Sequence, residues 1–225
     1  MLDRIWGRVE KVESKLRNRF GNSIDTPWQR FLSHVHFQLM DHGFLRVLWT
    51  NFYQFSPNAF RSNQPSPRRL KKYKELGVKT IINLRGTPKQ SHYLFEQEAC
   101  DALGLVLINC SMWARACTPK KHFIELFDYF DKIEGPFVLH CKSGADRASI
   151  AAAFYQIYIH GYSVKQTRDQ FSIKYLHLKF TKTGLLDFLM DTYEREGESE
   201  GIELRDWITN HYDPESLEKQ FLTKI

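Results

Sequence analysis

Three times in succession this chain runs through a helix-length amphipathic segment, a glycine and a short apolar run. RRLKKYKELG stops at Gly77 before VKTIINL (78–84). YLFEQEACDALG closes at Gly104 before LVLINC, and HFIELFDYFDKIEG ends at Gly135 before PFVLH. A glycine past the last periodic residue ends a helix, because it takes the left-handed conformation without steric cost. Short apolar runs rich in β-branched residues, alternating with helices, predict an α/β domain with a central, mostly parallel sheet flanked by helices. RASIAAAFYQIYIHG predicts a further helix after PFVLH.

Outside this block the expectations are coarser. In residues 2–20, Leu2, Ile5, Trp6, Val9, Val12, Leu16 and Phe20 recur at helical spacing. Arg4, Arg8, Lys11, Lys15, Arg17 and Arg19 outnumber three acids on the remaining positions. Such a helix suits either an anionic membrane surface or packing on its own domain. Residues 28–56 read as a second helical or irregular aromatic stretch, and Ser-Asn-Gln-Pro-Ser-Pro (62–67) as turn chemistry. The expected division is a helical extension over 1–56, the α/β domain over 57–195, and an acidic C-terminal tail over 196–225.

The chain has 225 residues and a formal charge of +6. Ten of its 26 acidic residues but four of its 32 basic ones fall in 191–225, leaving 28 basic against 16 acidic in the rest. A basic body suits anionic partners. No apolar run reaches the roughly eighteen residues of a membrane span, and the N-terminus lacks the apolar core of a secretory signal. The default expectation is a cytoplasmic protein, with peripheral contact at the inner membrane surface, through the basic N-terminal helix, as the alternative to that helix packing on its own domain or a partner. Cys100, Cys110, Cys117 and Cys141 have neither zinc-type spacing nor disulfide-scaffold density. His34, His36 and His42 are spaced too loosely for a metal site and read as packing residues. No cofactor is expected.

The chemistry lies where PFVLH runs into CKSGADR and a helix opens at about Arg147. Loop amides and the first turn of a helix, with its dipole, converge on an anion. Gly144 permits the tight path, and the Arg147 guanidinium matches two phosphate oxygens. In that positive field Cys141 is expected to be a thiolate, set for in-line attack on a bound phosphoryl group to give a cysteinyl-phosphate.

HCKSGADR matches the His-Cys-x5-Arg signature and resembles the cysteine-dependent protein tyrosine phosphatase superfamily, particularly its compact dual-specificity branch of bacterial type. FRSNQPSP followed by a helix and TIINLRG extends the resemblance over about residues 57–190. The resemblance implies Cys141 as nucleophile and Arg147 as phosphate ligand and transition-state stabiliser. It implies a phosphate cradle of Lys142, Ser143, Gly144, Ala145, Asp146 and Arg147, with His140 helping to hold the thiolate.

Two departures bear on turnover. The superfamily's general-acid aspartate lies on a separate loop before the cysteine, yet residues 102–124 contain no Asp or Glu. Asp101 sits further back in a helix and reads as a surface residue. Asp146, next to Arg147 as in myotubularin-like lipid phosphatases, is the preferred acid; the competing reading is a charge pair with Arg85 or Arg115. Ala148 replaces the usual Ser or Thr beside the thiolate, with Ser149 and Ser143 as candidate substitutes. These departures leave a catalytically weak pseudophosphatase, a phosphate-binding module, as the alternative.

Lys142, Arg115, Lys120 and Lys121 favour a multiply anionic or lipid-borne phosphate, with Lys179 and Lys182 as further candidates at the pocket. Phosphoprotein is the other substrate class. Nucleic acid ranks last, because no aromatic–basic stacking motif is present. A reversible disulfide between Cys141 and Cys110 or Cys117 is weighed against ordinary buried thiols.

Overall fold

A computed structural model describes residues 20–223. Helix α1 (Pro27–Leu39) begins at a Thr26 capping box completed by Gln29, and a short turn α2 (Leu45–Leu48) follows. Next come β1 (Tyr53–Ser56), β2 (Ala59–Asn63), α3 (Pro67–Glu75), β3 (Thr80–Asn83), α4 (Ser91–Leu103), β4 (Val106–Asn109), α5 (Lys120–Lys132) and β5 (Phe137–Cys141). The chain continues with α6 (Arg147–His160), α7 (Val164–Thr167), α8 (Gly184–Glu196), α9 (Leu204–Asn210) and α10 (Pro214–Leu222).

The five strands lie in the order β1-β2-β5-β3-β4. All neighbours are parallel except the β1–β2 hairpin, so the expected α/β fold with a mostly parallel sheet is present. Strand β5 is central and buried along its whole length, as expected of a parallel strand covered on both faces. Its side chains alternate between two cores. Phe137 and Leu139 join the larger one, built with α5, α6 and α8; Val138 joins Leu70, Tyr73, Ile81 and Cys100 beneath α3 and α4. Register sets Asn63 of β2 opposite Cys141 and Asn83 of β3 opposite His140. The chain leaving β2, β3 and β5 therefore converges at the carboxyl edge of the sheet, where open α/β sheets place their sites.

Two expectations are corrected. Residues 53–56 and 59–63 are strands, joined through Asn58 at φ 61°, so the expected boundary at 56/57 cuts a hairpin. Strand β2 escaped detection because Arg61, Ser62 and Asn63 are polar, although all three are buried. The segment 196–225 is not a peripheral tail over its described part. Leu204, Trp207 and Ile208 recur at helical spacing and, with Tyr212, are buried in the larger core. The amphipathic segment over residues 2–20 falls, except for Phe20, outside the described residues. No helix among the described residues is long and apolar enough to cross a membrane.

Candidate active site

Strand β5 delivers His140 and Cys141 to the sheet edge, residues 142–146 turn, and α6 opens at Arg147. Cys141 is buried, and the Gly144 N–H donates to its Sγ at 3.2 Å. Gly144 has φ 72°, and a Cβ there would lie 2.8 Å from the backbone of Ser62 and Asn63 at the end of β2. Both its backbone conformation and its close approach to β2 require glycine.

The loop is held from behind by its carbonyls. Asn51 Nδ2 donates to Ser143 O at 3.1 Å and to Tyr175 O at 3.0 Å. Because the peptide group is planar and trans, drawing Ser143 O outward turns the Gly144 N–H the opposite way, toward the sulfur. The Gln64 N–H donates to Lys142 O at 3.3 Å. Arg61, fully buried, donates from Nη2 to Gly144 O at 2.8 Å and Ser149 Oγ at 2.7 Å, and from Nη1 to Gln170 Oε1 at 2.8 Å. Its guanidinium lies 3.8 Å from the centre of the Tyr175 ring. Burial lowers the Arg61 pKa to about 10, so it still carries a fixed positive charge behind the loop at neutral pH.

Arg147 reaches Leu84 O at 3.5 Å and Met112 O at 3.4 Å, both long contacts. Its Nε is buried with no hydrogen-bond partner among the described residues. A buried guanidinium N–H left in this way is a donor suited to an oxyanion.

A second buried network runs from His140. Its Nε2 lies 2.6 Å from Glu96 Oε1 on α4. Glu96 accepts from Gln64 Nε2 at 3.0 Å, and Gln64 Oε1 accepts from Arg85 Nη1 at 2.8 Å. Arg85 grips Asp41 with both terminal nitrogens, at 3.1 and 2.7 Å, and Arg46 adds a contact of 2.7 Å. Burial alone would push the Asp41 carboxyl up, but Arg85, His92 and Arg46 hold it well below the usual carboxylate range. Lys142 Nζ approaches Asp41 at 3.7 Å. The segment expected to be a separate extension thus sets a carboxylate beside Lys142 of the loop.

Asp146 pairs with neither Arg85 nor Arg115. Its Oδ1 is 2.9 Å from His177 Nδ1, and the other ring nitrogen is 2.6 Å from Asp187 Oδ2. Burial disfavours the imidazolium, but hydrogen bonds to Asp146 and Asp187 outweigh it and raise the His177 pKa to about 9. At neutral pH a protonated ring therefore bridges two carboxylates. Asp146, Arg115, Leu176, Leu178, Thr181, Lys182 and Thr183 line a cleft of about 320 Å³.

The remaining candidates separate. Ser149 Oγ contacts Ala145 O and Arg61, and Ser143 Oγ accepts from the Ala145 N–H at 3.3 Å. No hydrogen bond joins either hydroxyl to Cys141, so the suggested replacement for the residue at Ala148 is not in place. Lys120 turns away to Thr209 O at 2.8 Å, Asp101 and Lys121 are exposed, and Lys182 lines the cleft while Lys179 points to solvent. Cys110 and Cys117 are buried free thiols whose pKa burial pushes up to about 12. His36 meets Ser91 Oγ at 2.8 Å, His34 packs on Phe95, and His42 sits at an exposed turn. Arg61, Glu96, His177 and Asp187 had no local motif to expose them; only the proximity of FRSNQPSP to the signature loop in the fold reveals Arg61's task.

No protein-family model matches this sequence, and no curated protein matches it. Solved structures do. TpbA of P. aeruginosa is 19% identical with a TM-score of 0.52, over 72% of this chain and 92% of that one; it has also been solved in complex with pTyr. The catalytic domain of the PP-IP phosphatase SIW14 of S. cerevisiae is 15% identical with a TM-score of 0.50, over 65% and 88%. Tk-PTP in its active form is 12% identical with a TM-score of 0.52, over 66% and 99%. The chain shares the fold of these phosphatases.

Proposed function

We propose that this protein is a cysteine-dependent phosphatase, hydrolysing phosphomonoesters through a cysteinyl-phosphate on Cys141. One observation carries the reading: at the carboxyl end of the central strand, a loop amide points at a buried sulfur while the adjacent arginine keeps an unpartnered, buried N–H. A phosphoryl group seated on the loop amides and Arg147 puts phosphorus in line with the sulfur. The thiolate forms the S–P bond as the ester P–O bond breaks, and the leaving oxygen takes a proton. Water then attacks phosphorus, releasing phosphate and restoring the thiolate. TpbA was solved in complex with pTyr and SIW14 is a PP-IP phosphatase, which supports a phosphorylated substrate; phosphoproteins and lipid or inositol phosphates are the classes we propose.

The proton source is the Asp146–His177–Asp187 cluster. Its proton rests on His177, between two carboxylates. Transfer from Nδ1 to Asp146 makes a neutral carboxylic acid at the cleft and leaves a neutral imidazole held by Asp187. That acid protonates the leaving oxygen, and in the second step the carboxylate takes a proton from the attacking water. A second reading, a phosphate-binding module with little turnover, is favoured by the lack, among the described residues, of a hydroxyl hydrogen-bonded to Cys141 Sγ.

Cys141→Ser is expected to abolish hydrolysis of a small aryl phosphate while retaining vanadate or phosphate binding; normal hydrolysis by that variant overturns the mechanism. Asp146→Asn is expected to slow esters of poor leaving groups by about a hundredfold or more and to spare those of low leaving-group pKa. Equal damage to both assigns Asp146 a structural role. Wild-type protein that binds phosphate but releases none from any aryl phosphate establishes the binding-module reading.

A further inference from the structure

From the rim of the cleft we infer that the site works at an anionic membrane surface, on a phosphomonoester carried by a lipid. The substrate part rests on the hydrolase reading above; the docking part stands on the rim alone.

Two stretches flank the cleft, and neither contains an acidic residue: 102–124 and 172–183. The second reads SIKYLHLKFTKT. Its Leu176, Leu178 and Lys182 line the cleft beside Arg115 of the first stretch. On the same stretch Ile173 is 74% exposed, Leu176 52% and Phe180 83%. On the first stretch Trp113, two residues before Arg115, is 47% exposed, next to Met112, whose carbonyl contacts Arg147.

The placement of this stretch is fixed rather than incidental. Tyr175 O and Ser143 O accept from the same Asn51 side chain, which couples the rim to the phosphate loop. His177, between Asp146 and Asp187, anchors its middle. Large apolar side chains are thus held exposed on the stretch that supplies Leu176, Leu178 and Lys182 to the cleft, with Lys174 and Lys179 exposed on the same stretch.

That pattern has the chemistry of an interfacial contact. Isolated apolar side chains that project into water gain by entering the acyl boundary, while flanking lysines and Arg115 meet anionic headgroups and keep their charges in the polar layer. A peptide-docking site would instead present a groove that receives a partner's side chains. Here Ile173 and Phe180 are exposed and stand outside the cleft lining. A phosphate on a headgroup lying level with the rim would enter the cleft from the side these groups engage.

The test uses the full chain, sedimented with vesicles of phosphatidylcholine alone or with about one-third phosphatidylglycerol. Binding is expected to the anionic vesicles and to fall with salt. The double variant Ile173→Ser/Phe180→Ser is expected to lose about tenfold or more of that binding. The same variant is expected to hydrolyse a small aryl phosphate at the wild-type rate, which also certifies its fold. Hydrolysis of a vesicle-borne lipid phosphomonoester is expected to drop with the binding. Wild-type protein that hydrolyses the aryl phosphate but ignores anionic vesicles overturns the inference and leaves the hydrolase reading intact. Loss confined to phosphopeptide hydrolysis also overturns it, assigning the rim to protein partners. Vesicle binding without any aryl phosphate hydrolysis keeps the surface and removes the lipid substrate.

Discussion

The Cys141 loop has two flanks of opposite character. Behind it, toward β2 and α4, Arg61, Asn63, Gln64 and Glu96 are charged or polar and almost wholly buried. In front, over 172–183, Ile173 and Phe180 are apolar and exposed. Each inverts the usual distribution, polar inside and apolar outside. The inversions teach different things. Within the buried polar set Arg61 and the Gln64 N–H satisfy the loop carbonyls of Gly144 and Lys142, and in doing so fix where the amides point. The exposed apolar set holds no part of the loop and is free to serve what approaches it. Substitutions behind the loop should therefore damage stability and chemistry together, whereas substitutions at the exposed rim should leave both alone.

Arg61→Met offers the strongest way to break this contrast. It keeps much of the buried volume but removes the donors to Gly144 O, Ser149 Oγ and Gln170. Leaving those groups unsatisfied in the interior is expected to cost about 3 kcal/mol or more, read from the urea unfolding midpoint. The released loop is expected to lose about a hundredfold in kcat/KM on an aryl phosphate, since small displacements of reacting groups have effects of that size. A variant as stable and active as wild type would mean that the loop geometry is set by the backbone of CKSGADR alone. The division between flanks would then dissolve.

How much of this was legible in sequence follows the same line. The glycine-punctuated helices and the strands VKTIINL, LVLINC and PFVLH announced themselves because they bury apolar side chains at regular spacing, and PFVLH needed one more residue, Cys141. The signature loop was legible because its chemistry is local: Cys141, Gly144 and Arg147 lie within seven residues. Strand β2 was hidden because FRSN buries polar groups against partners far along the chain, with Arg61 meeting Gln170. The acidic tail misled for the reverse reason: its charges dominate the composition, while Leu204, Trp207 and Ile208 on one face of a short helix decide where it packs. Asp146 was singled out as an acid, with an arginine pair as the competing reading, but its partner His177 lies 31 residues away in a segment with no motif, so the carboxylate meets an imidazole that no local pattern foretold.

His177 sharpens the comparison, because it belongs to neither flank alone. It anchors the rim stretch, its side chain is buried, and its ring lies 5.4 Å from Phe171, while Asp146 faces it from the end of the loop before α6 and Asp187 from α8. Its folded pKa of about 9 stands above the unfolded value of about 6.5. The proton is thus bound more tightly in the native state, so the added stability is fully present below about pH 6.5 and is lost as pH rises through about 9. Measured against His177→Gln, wild type is expected to be more stable by at most about 3 kcal/mol at pH 6, with the difference vanishing above about pH 9. A purely structural bridge would move only that curve. A proton donor would also set the alkaline limb of kcat/KM for an ester with a poor leaving group, so the limb near pH 9 is expected to disappear in the variant. If stability tracks pH as described but the alkaline limb stays where it was, His177 belongs wholly to the scaffold behind the loop, and the leaving oxygen draws its proton from elsewhere.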